Sequence, residues 1–493
     1  MFERFRAQFR SIWKKVVNSG DTEVQRQEVN IEIWNLVYQG KADWLNRTEI
    51  GVDGNVHKRV MASLNPMKIL AQTMTDYIYS EPPEIQTNDT ALKAVLDANN
   101  FVVKQSEMIE QQCALGAQAM KVYQKDDKIK IDYITANHIV MISWDNRRVT
   151  EAAFLDYEVI DGKNYVRVET HKKHYTQLPD LDDDGNQKVD RYSRPLFIDG
   201  PQDGYEITNE VYKITDADVT KEDISGVMPE YDEKTFVPVL EPLFVIIKNP
   251  IANNMNTQTP IGLSMGANSL DTFKAIDTAF DSLATAPELC HPMILISDRI
   301  TRKVVDPDTG KNRSYFDPTD RVFKSAPINE EDKLPVQNMT IPLEVEPIAK
   351  AIQVNFDLLC LQTGLSTGTF SFDSATGVVT ATQIVSENSK TYRTREKYIT
   401  AITEGYKDFF VSIQQLLSLK GESAGGNVNI VWDDSIIQDK TADSAYWMSL
   451  YNGKVVPQWE MIMNIMGLPE KDAKAKVEEI QAETPKKIDF MEE

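Results

Sequence analysis

Residues 260–288 read PIGLSMGANSLDTFKAIDTAFDSLATAPE, and their spacing sets the architecture. Leu263, Ala267, Leu270, Phe273, Ile276, Phe280 and Leu283 recur at steps of three and four, the period that places side chains on one helix face. Asp271, Lys274, Asp277 and Asp281 read as a separate charged stripe, so the expectation is a helix with one packed face and one wet face. Downstream, residues 292–342 carry strand-like runs at 293–296 and 321–323 around a turn at 306–311, a small β-rich insertion. Pro342 and Pro347 then introduce a second helix through Ile348, Ile352, Phe356 and Leu359. Residues 364–377, rich in Ser, Thr and Gly, are too polar for a core element and read as an exposed loop. Thr380 and Gln383 form the capping-box pattern of a helix reaching residue 419, roughly forty residues or about 60 Å, with Gly405 as a candidate kink.

Toward the N-terminus, residues 119–248 alternate with period two. Met120 and Val122, Ile129, Ile131 and Tyr133, then Phe154, Tyr157 and Val159, separated by polar turns at 125–127, 145–147 and 161–164, predict an antiparallel meander. Helices are predicted before it: one over 22–46 around Ile31, Ile33, Trp34 and Val37 with Gly40 as its stop, one from Pro66 to about residue 79, one over 90–99, and one over 101–117 burying Met108, Ile109, Cys113 and Leu115. In residues 1–18, Phe2, Phe5, Phe9, Ile12, Trp13 and Val16 form one stripe beside Arg4, Arg6, Arg10, Lys14 and Lys15. Such a basic amphipathic helix suits a membrane surface, a partner protein or the chain's own core. Beyond the long helix, Val428, Ile430 and Val431 predict a strand, followed by helices near 441–452, 457–466 and 469–482.

The 493 residues are 41% hydrophobic and 26% charged, a globular composition with room for two to four domains. Cys113, Cys290 and Cys360 lie far apart among apolar neighbours, as expected of buried thiols in a reducing compartment. No run approaches the roughly 18 apolar residues of a membrane span, and the first residues lack the pattern of a secretory signal. With 53 basic and 75 acidic residues the formal charge is −22, which speaks against gripping nucleic acid through phosphate neutralisation.

Reaction centres are not legible. The five histidines sit in no zinc or triad context, and Lys172 and Lys173 between His171 and His174 oppose a transition-metal site. Neither a Walker A loop nor a dinucleotide fingerprint occurs. Asp180, Asp182, Asp184 and Gly185 match the first half of a calcium loop, but Arg191 stands where a bidentate Glu is needed, so an acidic hairpin tip is the plainer reading. The alternative function is a cytosolic calcium-binding or hydrolytic protein using Asp180, Asp182 and Asp184.

Five separated segments, in order, carry a family resemblance. They are 33–40 (IWNLVYQG) with Trp44, 130–145, 271–281 (DTFKAIDTAFD), 364–372 (GLSTGTFSF) and 386–392 (SENSKTY). With them the chain resembles portal proteins of long-tailed bacteriophages infecting Gram-positive bacteria, the SPP1-like portal family. The resemblance implies an α+β portal fold, mainly helical with a β-rich wing and clip, long stem and wing helices and a helical crown. Residues 1–259 become the N-terminal wing, 260–289 and 343–363 the stem helices, and 290–342 the clip between them. The tunnel loop is 364–378, the long wing helix 379–420, and the crown with C-terminal tail 421–493.

It further implies a non-enzymatic, cofactor-free dodecameric ring at one capsid vertex, a channel for DNA packaging and ejection in the virion, assembled in host cytoplasm. The implied partners are terminase, a head–tail adaptor, major capsid and scaffolding proteins, and duplex DNA passing without sequence-specific binding; no membrane is implied. The tunnel loop would be carried by Gly364, Ser366, Thr367, Gly368, Thr369, Phe370, Phe372 and Gly377, and the channel-facing stem residues would be Asp271, Lys274, Asp277 and Asp281. About twelve such acidic subunits sum to about −260 charges, a field that discourages DNA from sticking to a wall. A monomeric capsid adaptor is the remaining reading.

Overall fold

The computed structural model describes residues 22–483 except 51–55, 147, 181–186, 189–193, 216–217, 258, 290–293, 296–301, 306–311, 316–336, 339–344, 372–388, 423–424, 433–439, 467 and 469. The basic helix expected at 1–18, the capping box at 380–383, the clip turn at 306–311 and the strand at 321–323 lie outside the described residues.

The fold is α+β. Its first elements are α1 (Thr22–Tyr38), β1 (Asn46–Ile50), β2 (Val56–Val60), α2 (Pro66–Tyr79), β3 (Glu84–Thr87), α3 (Thr90–Ala98) and α4 (Phe101–Leu115). Strands follow: β4 (Ala117–Lys125), β5 (Lys128–Thr135), β6 (Ile139–Asp145), β7 (Arg148–Ile160), β8 (Lys163–Pro179), β9 (Phe197–Ile214), β10 (Val219–Glu222), β11 (Lys234–Val237) after the short α5 (Ile224–Val227), and β12 (Phe244–Lys248). Then come α6 (Leu270–Leu289), the strands β13 (Ile294–Leu295), β14 (Arg302–Val305), β15 (Asn312–Tyr315) and β16 (Gln337–Asn338), and α7 (Val345–Thr363). The chain closes with α8 (Ser389–Leu419), β17 (Val428–Val431), α9 (Lys440–Asn452), α10 (Gln458–Met466) and α11 (Glu470–Glu483).

Two compact units divide the chain. The first comprises Met1–Ala42, Met67–Leu270 and Leu359–Glu493, the second Asp43–Pro66 and Asp271–Leu358. In the first, β4 pairs with β5 and β12, while β6 to β10 form the antiparallel meander in the order β10-β9-β8-β7-β6. The turns are what the sequence demands: Asp126 and Asp127, and Asp161 and Gly162, all adopt positive φ, matching the right-handed twist of the strands they join. Ile31, Trp34 and Val37 of α1 are buried, as are Met108, Ile109, Cys113 and Leu115 of α4. Helix α8 buries Tyr398, Ile402, Tyr406, Phe409 and Phe410, and Phe101 meets Tyr406 edge-on at 5.0 Å. It runs unbroken through Gly405, where a Cβ would stand 2.5 Å from Ile247; the glycine admits β12 against the helix.

One expectation fails at the start of α6. Residues 260–269, buried except for Asn268, are not helical, and the helix begins at Leu270. The reason is a backbone crossing: a Cβ on Gly262 would lie 2.0 Å from the Gly116 carbonyl oxygen, and Asn249 donates from Nδ2 to the carbonyls of Cys113 and Leu263 at 3.2 and 3.0 Å. Backbone groups used in that crossing are not free for a helix.

In the second unit β1 and β2 form a two-stranded hairpin, β13 pairs with β16, and β14 with β15, so the segment between α6 and α7 does carry strands.

Candidate functional site

The second unit is organised by two aspartates of α6. Asp277 is 2% and Asp281 4% exposed, whereas Asp271 and Lys274 are open to solvent. The expected wet stripe therefore splits, and Asp277 and Asp281 do not belong to it. At 100° per residue Asp277 stands about 40° and Asp281 about 80° from Phe273, inside the apolar arc, while Asp271 stands about 160° away. The four-residue step from Phe273 turns Asp277 toward the packed face, while the partners of both aspartates lie more than 200 residues away and leave no local trace.

Each aspartate holds the segment 43–66. Trp44 Nε1 donates to Asp277 Oδ2 at 3.0 Å, and Ser63 Oγ and the Leu64 amide donate to Oδ1 at 2.7 and 3.2 Å. Arg59 donates two parallel hydrogen bonds to Asp281, and the Ala62 amide adds a third at 2.9 Å. Burial pushes the Asp277 carboxyl up from its ordinary value despite its donors. Burial also opposes the charge of Asp281, but the Arg59 guanidinium and the Ala62 amide outweigh it and hold that carboxyl low.

The loop after α7 is likewise more tied down than its composition suggests. Gly364 ends α7 at φ +81°, and the Leu365 amide reaches back to the Cys360 carbonyl at 2.9 Å, a Schellman-type closure with Leu365 fully buried. The Ser366 amide donates to Thr391 Oγ1 at 2.9 Å and the Thr391 amide donates to Ser366 Oγ at 3.3 Å. This is a capping box closed across 25 residues, serving the first turn of α8. Thr394 Oγ1 donates to the Gly364 carbonyl at 2.7 Å, and Thr369 Oγ1 to the Ser366 carbonyl at 2.7 Å. Ser366 is thus buried, a correction to the exposed loop expected; Thr367 and Gly368 are exposed and Phe370 is half-buried. Phe372 and Gly377 lie outside the described residues.

Two pentads, residues 262–266 (GLSMG) and 364–368 (GLSTG), have serine-nucleophile spacing. Neither is a strand-to-helix elbow. Ser264 Oγ points to the Met67 sulfur at 3.9 Å and accepts from the Gly266 amide, and Ser366 Oγ serves Thr391. Asp180 Oδ1 accepts from Lys188 Nζ at 2.9 Å, closing a ribbon tip; Asp182 and Asp184 lie outside the described residues. Among the described residues no group of three or more His, Cys, Asp or Glu is placed to hold a metal ion.

A buried charge cluster in the first unit carried no sequence signal beyond strand alternation. Glu169 of β8 accepts from Lys121 of β4 at 2.8 Å, from Arg167 at 2.6 Å, and meets His171 Nε2 at 2.8 Å. Arg167 also reaches Asp156 and Asn209 and covers the Tyr231 ring. Burial opposes the Glu169 charge, but His171, Lys121 and Arg167 hold the carboxyl well below its usual range, while burial pushes His171 down. A neutral His171 donating from Nε2 leaves Nδ1 buried without a partner. The cluster staples the two sheets; Glu169, Lys121, Arg167 and His171 face one another, with the half-exposed Asp156 at the rim.

Compared with known proteins, the chain matches a family model described as phage portal protein, SPP1 Gp6-like, over residues 21–488. No curated protein matches it. Among the described residues no helix is long and apolar enough to cross a membrane.

Proposed function

The chain belongs to the SPP1 Gp6-like phage portal protein family, and from that membership we propose that it assembles as a dodecameric ring at one capsid vertex and serves as the channel for DNA packaging and ejection. The match over residues 21–488 carries this reading. Helices α6 and α7 act as stem, residues 290–342 as clip, 364–378 as tunnel loop, α8 as wing spine, and the C-terminal helices as crown. Of the four charged stem residues, the exposed Asp271 and Lys274 are the channel-facing pair; Asp277 and Asp281 act as anchors for the hairpin.

The ring works without catalysis of its own. Terminase supplies packaging energy, the clip docks terminase and then the head–tail adaptor, and the outer surface meets major capsid and scaffolding proteins. Duplex DNA slides through a ring whose net negative charge does not neutralise its phosphates. Assembly takes place in host cytoplasm and the finished ring resides in the virion. Native mass measurement of the purified chain tests the reading: a particle near twelve subunit masses of 55.9 kDa is expected, and a stable monomer would overturn it.

A further inference from the structure

Two exposed surfaces of the second unit are complementary to each other in length and charge. One is the outer face of the β1–β2 hairpin. Arg59 turns inward to Asp281, so by strand alternation its neighbours Lys58 and Val60, with Val56, point away, opposite Thr48 and Asn46 in the register. Val56 is 63% and Val60 69% exposed, the sheet has only two strands, and Lys58 has no ion-pair partner among the described residues. The other surface is a stripe along α7. Pro347, Ala351, Val354 and Leu358 follow at steps of four, three and four and all are exposed, Val354 at 50% and Leu358 at 46%.

The two surfaces match in length and sign. From Val56 to Val60 a strand covers about 13 Å, and from Pro347 to Leu358 a helix covers about 16 Å. The hairpin presents valine, lysine, valine. Beside the helix stripe, Glu346 and Lys350 are one turn apart and offset each other, which leaves Asp357 as the uncompensated charge, one position from Leu358.

We infer that the outer face of the β1–β2 hairpin of one copy packs on the Pro347–Ala351–Val354–Leu358 stripe of a second copy, with Lys58 set against Asp357. The contact is heterologous, one patch against a different patch, which is the kind that closes rings. It rests on the ring reading above and specifies how neighbours meet.

Cross-linking tests it in the full chain. Cys113 and Cys360 are buried, so C290S is the only background change required. V56C chains mixed with L358C chains, treated with a short bismaleimide, should give a covalent pair that neither variant gives alone, and a chain carrying both changes should give a ladder of multimers. K58D and D357K should each raise the concentration for half-assembly about tenfold, and the combined swap should recover most of that loss. Multimers by native mass without the mixed cross-link would overturn this contact and leave the portal reading standing. Self-linking of either single variant would assign a two-fold contact instead. A monomer by mass would remove both.

Discussion

Arg59 and Asp281, 222 residues apart in sequence, are joined by two parallel hydrogen bonds of 2.9 and 2.8 Å. A two-stranded hairpin is marginal by itself, so this fork and the Asp277 donors fix its position. R59A or D281A is expected to raise amide hydrogen exchange across β1 and β2, with a local loss of about 1–2 kcal/mol because Arg59 is part-exposed. R59K should fall between, keeping charge but not the fork. Unchanged exchange in R59A would show that the hairpin is held by other contacts.

The Ser366–Thr391 pair predicts a labelling contrast. A cysteine replacing exposed Thr367 should react with maleimide at least about tenfold faster than one replacing buried Ser366, since local opening gates the latter. S366A and T391V should couple by about 1 kcal/mol in a double-mutant cycle read by urea unfolding.

Stability of the first unit should fall in two steps on acidification. His171 has a lowered value in the fold, so its neutral form contributes fully above about 6.5, and that contribution declines as pH drops below this unfolded value. Glu169 is also lowered, so its share is present above about 4.3 and is lost as pH falls through the lower folded value. H171Q, which keeps a donor for Glu169, should erase the upper step and spare the lower one in urea midpoints measured against pH. E169Q, leaving Lys121 and Arg167 with only part-exposed carboxylates, should cost about 3–5 kcal/mol at neutral pH.

G262A should destabilise by about 3 kcal/mol or more, because its Cβ would overlap the Gly116 carbonyl. G226A is the control: its nearest neighbour would be 3.9 Å away, and a helical alanine there should be neutral or slightly stabilising in thermal melts.

What was legible in the chain was local. The α4 helix with Gly116 behind it, the Asp126–Asp127 and Asp161–Gly162 turns and the three C-terminal helices follow from caps, positive-φ residues and periodicity within a dozen positions. What was not legible depended on distant partners. Asp277 and Asp281 read as solvent-facing because Trp44, Arg59 and Ser63 are more than 200 residues away, and Ser366 read as loop because its cap lies on α8. Residues 260–269 kept helical spacing but met Gly116 instead. The charge cluster around Glu169 draws on β4 and β8 together, which no single strand's alternation reveals.

The distance between Arg59 and Asp281 also sets a clock. Synthesis at about 5–20 residues per second needs roughly 11–44 s to pass from one to the other. During that interval the hairpin has emerged while both carboxylates that fix it are still to be translated, and its valine face and open strand edges are exposed to other nascent chains. The nascent chain is therefore open to misassembly early in translation, and slowing synthesis between codons 60 and 281 would lengthen that exposure.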